Sequence, residues 1–340
     1  MKSIKVDLSR DPGDRWQLTD VDIADATGLI DCYAQDIGGV SMHREMLEMY
    51  DMSGHLAVEY RAEINEMAIA IDRPYLKVLL GNVYYDVLKL VMGSGTVGNG
   101  SSSTRDAYDL DAGGFACSAY AVDTADGPVH ARNLDWSDYG NRILSTGSRK
   151  IEFTGGAAGP FTIIGWPGYL GALSAIAPER FSITLNSVLS EDPLRMAAPV
   201  SFVIRNVLET TSTYADAVER LSNTPLMCDC LMLVAGTKPG EMAVVERTPS
   251  RSAVREPHGG FIAVTNDYRK LGKRSGGFAD LGTTACERYN RIEQLLTPRR
   301  DRAPYELLSM LSDPMIKMQT MTVQQMVMCP ATGKFSAMST

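Results

Sequence analysis

The sequence predicts an α+β protein, a helical N-terminal part followed by a body of mostly antiparallel strands. Three observations predict it. Apolar residues recur at helical spacing between about Met42 and Met92, a Gly/Ser-rich stretch follows, and short strand-like runs then alternate with turn signals.

The elements follow in chain order. Residues 1–35 carry no clear period. Leu76, Leu79, Leu80, Val83, Tyr84, Val87, Leu88 and Val91 recur at three- and four-residue steps, one face of a helix with Pro74 near its start. The segment GSGTVGNGSSST, residues 93–104, reads as a flexible linker within 93–114. Its G-x-G-x-x-G at Gly93, Gly95 and Gly98 is rejected as a dinucleotide site, because it follows a helix and opens a linker. Strand-like runs stand at Ser118–Asp123, Pro128–Asn133, Phe161–Ile164, Phe181–Asn186, Leu231–Ala235, Met242–Glu246 and Phe261–Asn266. Asp126-Gly127 and Lys238-Pro239-Gly240 mark turns between them. Helical patterns return at Pro199–Leu221, Thr284–Leu296 and Tyr305–Leu311. No internal repeat is visible. The division expected is a helical N-terminal segment, 1–116, and a catalytic domain, 117–340.

Composition narrows the function. With 33 Lys+Arg against 41 Asp+Glu, the net charge of -8 argues against a nucleic-acid binder, which needs a basic face. No run approaches the ~20 apolar residues of a membrane-spanning helix. The polar stretch Met1 to Thr19 lacks a signal-peptide core, so a soluble, cytoplasmic protein is expected. Six cysteines in 340 residues are too sparse for a disulfide scaffold. Cys228-x-Cys230 stands alone and His43, His55, His130 and His258 are scattered, so neither a metal nor a cofactor is expected.

Cys117 is the first candidate for chemistry. A lone cysteine is ordinarily a small buried hydrophobe. Hairpin geometry changes the reading. If Asp123 faces Pro128 across the Thr124–Gly127 turn, Cys117 lies opposite Leu134. Arg132 and Asp135 of ARNLDW, residues 131–136, then lie near the thiol, and the cation would lower the thiol pKa. Without further support, the same two residues read as an ordinary ion pair. A base is still needed. His130 shares the Arg132 face if the strand alternates, and could reach the site. The other solution is the α-amine of Cys117 itself, freed by cutting the Ala116–Cys117 bond, since a free α-amine has a pKa of ~7.7–8.0.

The run CSAYAVDTADGPVHARNLDW, residues 117–136, resembles the start of the catalytic subunit in the acid ceramidase and N-acylethanolamine acid amidase family. These are cysteine N-terminal-nucleophile hydrolases, with bile-salt hydrolases and penicillin V acylases as more distant relatives. PERFSITLN (178–186), KPGEMAVVERTPS (238–250) and FIAVTNDYRK (261–270) are similar to later family segments, in the right order. YLKVLLGNVYYDVLKL (75–90) is similar to the helical propeptide or small subunit of the ceramidase branch. The resemblance spans roughly residues 75–300. It implies a four-layer αββα sandwich of two antiparallel sheets.

By position, the resemblance makes Cys117 both the self-processing residue and the nucleophile. Asp135 holds the new α-amine, Arg132 orients the thiolate, and Asn266 donates its side-chain amide to the oxyanion; read without the resemblance, Asn266 beside Asp267 is a turn-forming residue. Asn186, at the end of a strand, and Trp136 are candidate site-lining residues, and Arg288 either matches a later family arginine or sits on a solvated helix face. Relatives in the ceramidase branch follow the Asn186 position with Glu-Arg, where this chain has Ser187-Val188, so a polar pocket contact differs.

The expected function is autoprocessed hydrolysis of the amide bond of an N-acylated amine or amino acid through a Cys117 thioester. The acyl chain is expected to be apolar, with the N-terminal helices walling one side, and the two pieces are expected to stay associated after scission. Two alternatives stand beside it: an acyltransferase or cyclase passing the same thioester to an amine, and a catalytically dead acyl- or lipid-binding module.

Overall fold

A computed structural model describes residues 1–93, 115–136, 143–190, 192–272, 279–297 and 304–340. The linker expected at 93–114 therefore lies, beyond Gly93, outside the described residues.

The N-terminal segment opens on two strands, β1 (Lys2–Asp7) and β2 (Trp16–Gln17), where the sequence showed no period. Five helices follow: α1 (Asp20–Asp36), α2 (Val40–Met52), α3 (Val58–Ala70), α4 (Tyr75–Asn82) and α5 (Tyr84–Gly93). Thr19 and Asp22 form a reciprocal capping box at the start of α1. The stripe from Leu76 to Val91 is thus two helices rather than one. Its break at Val83 follows Asn82, whose side chain turns out of the helix to bond the Gly168 carbonyl and the Leu170 N–H.

The body begins with the hairpin β3 (Phe115–Thr124) and β4 (Gly127–Trp136). Then come α6 (Ile143–Gly147), β5 (Arg149–Thr154), β6 (Phe161–Gly165), β7 (Ser174–Ala177) and β8 (Phe181–Asn186). Helices α7 (Val200–Thr210) and α8 (Tyr214–Asn223) replace the single pattern expected over Pro199–Leu221. Strands β9 (Cys230–Ala235), β10 (Met242–Arg247), β11 (Ser252–Arg255) and β12 (Phe261–Val264) follow. Helices α9 (Ala279–Leu296) and α10 (Pro304–Leu311) and strands β13 (Thr322–Cys329) and β14 (Lys334–Ser339) end the chain.

The strands make two sheets. The larger runs β11-β10-β9-β8-β7-β6-β5-β1-β2, and the smaller runs β12-β3-β4-β13-β14. All pairings are antiparallel except β1 with β5, which is parallel, so the larger sheet is mixed where an antiparallel one was expected. The parallel pair forms because β1 arrives from the N-terminal segment and not through a hairpin.

The sheets pack face to face. Ala119 and Ala121 of β3 meet Leu231, Leu233 and Val244, while Met326 and Met328 of β13 meet Ile164 and Ile176. On the outer face of the smaller sheet, Tyr120, Val122 and Ala131 pack against Ile292, Leu307 and Leu311 of α9 and α10. The outer face of the larger sheet carries the N-terminal helices and α7, with Phe153, Phe161 and Ile183 beneath Ile30, Tyr60 and Val203. The result is the four-layer αββα order. All ten positions of β4 are buried, as a central strand covered on both faces must be.

The N-terminal segment is built into this body. Glu63 of α3, fully buried, accepts a bidentate pair from Arg205 of α7 at 2.8 and 2.7 Å, together with Arg15 and the Trp16 indole. Helix α7 has Pro199 at its N-cap, which offers no side-chain acceptor. Asp86 of α5 takes that place, accepting the Val200 N–H at 3.4 Å and the Cys228 thiol at 3.0 Å.

Candidate active site

The register of the β3–β4 hairpin is the one its turn predicts. Asp123 faces Pro128 and Cys117 faces Leu134. Side chains alternate across a strand, so Cys117, Ala119 and Ala121 share one face with Leu134, Arg132 and His130. That face looks into the space between the sheets. Ala116, Ser118, Asp135 and Asn133 look the other way, toward α9 and α10.

Arg132 reaches the thiol directly, with Nη2 3.5 Å from Cys117 Sγ. The same Nη2 donates to the Leu185 carbonyl and Nη1 to the Leu173 carbonyl and the Ser174 hydroxyl, while Nε is buried with no partner among the described residues. This fork geometry is what arginine supplies and lysine does not.

Asp135 stands on the opposite face from the thiol, opposite Ala116. A separation of three along a strand forbids Arg132 and Asp135 from sharing a face, so they do not form the ordinary ion pair that their spacing first suggested. Asp135 Oδ1 accepts the Thr322 hydroxyl at 2.6 Å, and Oδ2 is buried with no partner among the described residues. Burial pushes its pKa up to about 7, against the opposing pull of Thr322, Arg288 and Arg132.

The backbone of residue 117 is held in an unusual way. Strand β12 ends at Val264, which pairs with Ala119, so it stops short of Cys117. Three side chains take the place of the missing strand. Asn266 Oδ1 accepts the Cys117 N–H at 2.9 Å. Arg288 Nη1 and Asn186 Nδ2 donate to the Cys117 carbonyl at 2.7 and 3.1 Å. Arg288 also donates to Ser118 Oγ and to Asn266 Oδ1, both at 2.9 Å. Burial pulls the Arg288 pKa below its ordinary range, offset in part by Asp135 and Cys117.

Asn266 cannot flip its amide. Two obligate donors lie on Oδ1, while Nδ2 donates to the Ser187 carbonyl at 2.8 Å and more weakly to its hydroxyl at 3.2 Å. Asn186 Nδ2 also bonds the Thr265 carbonyl, tying the end of β8 to the end of β12.

His130 lies on the Arg132 face, but its two ring nitrogens are taken by Ser182 Oγ and Thr184 Oγ1, each at 2.9 Å. Burial, with Arg132 second, pushes its pKa down to about 3. It is a satisfied core histidine and a poor base. Trp136, opposite Phe115, lies 6.2 Å from the Tyr33 ring and 5.9 Å from the Tyr84 ring, so α1 and α5 close over this end of β4. Cys117 belongs to the same apolar cluster.

Thr322 and Ser187 were not singled out as site residues from sequence. Thr322 sits in β13, whose eight buried positions show no alternation to mark a half-exposed strand. Ser187 was noticed only as a departure from the ceramidase pattern. Among the described residues no three His, Cys, Asp or Glu side chains converge to hold a metal ion, and no helix is long and apolar enough to cross a membrane.

The chain is similar to known proteins. Acid ceramidase of Balaenoptera acutorostrata scammoni is 22% identical over 271 residues, 71% of this chain and 62% of that protein. N-acylethanolamine-hydrolyzing acid amidase of Caenorhabditis elegans is 29% identical over 144 residues, 39% of this chain and 40% of that protein. The chain thus spans less than two thirds of the length of these curated relatives. The solved structure of a Caenorhabditis elegans N-acylethanolamine-hydrolyzing acid amidase ortholog superposes with a TM-score of 0.52 at 22% identity, covering 63% of this chain and 93% of that one. A family model described as acyl-coenzyme A:6-aminopenicillanic acid acyl-transferase matches residues 122–326, a span that holds Arg132, Asp135, Asn186, Asn266 and Arg288. That match covers well over half of the sequence, and the chain belongs to this acyl-transferase family.

Proposed function

We propose that the protein is an autoprocessed amidase that cleaves the amide bond of an N-acylated amine or amino acid through a thioester on Cys117. One observation carries the reading. The N–H, the C=O and the sulfur of a single residue are each met by a separate side chain, Asn266, Asn186 with Arg288, and Arg132. An ordinary core cysteine needs none of these.

The first step is scission. Sγ attacks the Ala116 carbonyl carbon, the Ala116–Cys117 C–N bond breaks, and the proton of the thiol passes to the departing nitrogen. Water then hydrolyses the resulting thioester, leaving a carboxylate on Ala116 and a free α-amine on Cys117. Asp135 Oδ2 is the acceptor for the N–H of that amine and for the ammonium it becomes on taking the thiol proton, whose charge holds the carboxyl ionised.

Turnover repeats the same chemistry on substrate. The α-amine takes the thiol proton while the sulfur attacks the acyl carbonyl, then returns it to the leaving amine. One hydrogen of Asn266 Nδ2 stays on the Ser187 carbonyl. The second, held only weakly by the Ser187 hydroxyl, turns to the tetrahedral oxyanion with a backbone N–H beside it. Cys117 shares one apolar cluster with Tyr33, Tyr84 and Trp136, a setting that suits an apolar acyl chain. The Glu63–Arg205 pair and the β1–β5 ladder keep the two pieces together.

A second reading, acyl transfer, is favoured by the family description. The same thioester passes its acyl group to an amine in place of water. Product analysis with water and amine in competition separates the two.

Intact mass tests the whole proposal. Scission yields pieces of 116 and 224 residues (340 minus 116). Cys117→Ala remains one chain and loses reaction with a thiol-directed acyl probe. Wild-type protein that is active while uncut would dismiss the α-amine as base. Wild-type protein that never reacts at Cys117 would favour a binding module.

A further inference from the structure

We propose that Glu246 is a positioning residue that sets Asn266 against Cys117 by clamping the chain on both sides of it. The inference rests on the amidase reading above, and adds to it a residue that no catalytic role requires.

Asn266 lies past the end of β12, so no strand ladder holds it in place. Its 2.9 Å contact with the Cys117 N–H nonetheless demands a fixed backbone. Glu246, on β10, supplies the anchor. Its Oε1 accepts the Arg269 N–H at 3.0 Å, and its Oε2 accepts the Lys270 and Leu271 N–H groups, each at 2.9 Å. Three successive amides thus converge on one carboxylate. The fourth donor reaches the other flank: Arg255 Nε donates to Oε1 at 3.0 Å, and Arg255 Nη2 donates to the Ala263 carbonyl at 2.8 Å. Ala263 is three residues before Asn266, and Arg269 is three after. One carboxylate therefore grips both flanks of the loop.

The bland reading is a Glu–Arg ion pair within a sheet. Its surroundings argue for more. Glu246 is fully buried, and its face of β10 is that of Val244, in an apolar layer with Leu231, Leu233, Ile262, Val264 and Tyr268. A hydrophobe would suit that layer unless the carboxylate served the loop. A buried carboxylate survives there because each oxygen is met by two donors.

The test uses the full chain and a double-mutant cycle. In Glu246→Gln the amide keeps the shape but turns an N–H toward at least one of the four donors. Hydrogen exchange at residues 269–271 should quicken at least about tenfold. The rate of Cys117 acylation by an activated acyl ester should fall roughly 10–100-fold, with KM for an N-acyl amine little changed, because a misplaced Asn266 costs orientation and not binding. On an Asn266→Ala background the same substitution should cost almost nothing, since the group it positions is already gone. Equal losses on both backgrounds, or unchanged exchange at 269–271, would overturn the proposal. If the wild-type chain shows no Cys117-dependent chemistry, the amidase reading fails and the positioning role falls with it, while the exchange arm still reports whether Glu246 holds the loop. Should Glu246→Gln not accumulate folded, Arg255→Gln removes only the tie to Ala263. It should give a smaller loss with the same dependence on Asn266, and a loss independent of Asn266 overturns the clamp.

Discussion

Asn266→Asp separates the two things that Asn266 is proposed to do. The substitution keeps an oxygen where Oδ1 accepts the Cys117 N–H and the Arg288 guanidinium, both at 2.9 Å. It deletes both hydrogens of Nδ2. One of those is the proposed oxyanion donor, and losing one such donor costs about 2.7–4 kcal/mol of barrier, or 10²–10³ in kcat. The other bonds the Ser187 carbonyl at 2.8 Å, where an oxygen now faces an oxygen. That loss costs stability by about 1–3 kcal/mol, which Arg288 beside the new charge offsets in part. The assay is single-turnover acylation of Cys117, with Tm recorded alongside. Asn266→Ala provides the comparison in which donor and acceptor are both gone. The expected order is wild type, then Asp slower by at least a hundredfold, then Ala slower still. An Asp variant that acylates within about threefold of wild type would show that Asn266 acts only as an acceptor, and the oxyanion role would be wrong.

Arg132→Lys should destabilise the protein, because one ammonium cannot reach the Leu173 and Leu185 carbonyls and the thiol together; each buried carbonyl left short costs about 1–3 kcal/mol, read as a fall in denaturation midpoint. His130→Gln should leave the pH profile of acylation unchanged, whereas a profile that loses its acidic limb, the fall caused by protonating a base, would return His130 to the role of base. Arg205→Met leaves Glu63 buried beside fewer cations and should cost about 3–5 kcal/mol, with loss of the small piece from the processed protein on gel filtration. Stability of the uncut Cys117→Ala chain should rise as pH falls from about 7.5 toward about 6, above the range in which Asp22, Asp31, Glu63, Asp192 and Asp313, all lowered in the fold, begin to act in the opposite sense. Burial raises Asp86 and Asp135 from 3.8 to about 7 in the fold, so both take up protons preferentially when folded, and that stability is fully present below the unfolded value and lost as pH rises through 7. His130, lowered from 6.5 to about 3, works in the opposite sense. Two groups of raised pKa against one lowered histidine leave the net in favour of the lower pH, and a urea midpoint that is lower at pH 6 than at pH 7.5 would contradict it.

What the sequence disclosed of this site followed from local rules. The Asp126-Gly127 turn and a period of two were enough to fix the hairpin register, and with it the place of Arg132 beside the thiol. The same alternation also puts Asp135 on the far face, a consequence that proximity in sequence disguises. Other parts were silent because their causes are distant. Lys2–Asp7 and Arg149–Thr154 each alternate, with Ile4 and Val6 and with Ile151 and Phe153 turned inward, but two apolar residues per run are too few to announce a strand, and their parallel pairing joins segments far apart in the chain. Thr322 reaches Asp135 across a span of 187 residues, and no local pattern encodes such a contact. Asn266 was legible as a candidate through its family segment, yet the direction of its amide depends on Arg288 and Ser187, which only the fold brings together.

The division of faces bears on where the base must come from. A thiol on the inter-sheet face and a carboxylate on the helix face cannot exchange a proton directly across a strand. The histidine on the thiol's own face has both nitrogens bonded and little basicity left. Between the two faces runs the backbone, and the backbone atom that belongs to the nucleophile is its own nitrogen. While the chain is whole that nitrogen is an amide, without basicity, and Asn266 accepts its hydrogen. Cutting the bond to Ala116 turns the same atom into an amine, free to rotate toward Asp135 Oδ2 on one side and Sγ on the other. For a residue proposed to become a chain terminus, a carboxylate on the face away from the sulfur is where a partner for the new amine belongs, and in this way the placement of Asp135 supports the proposal.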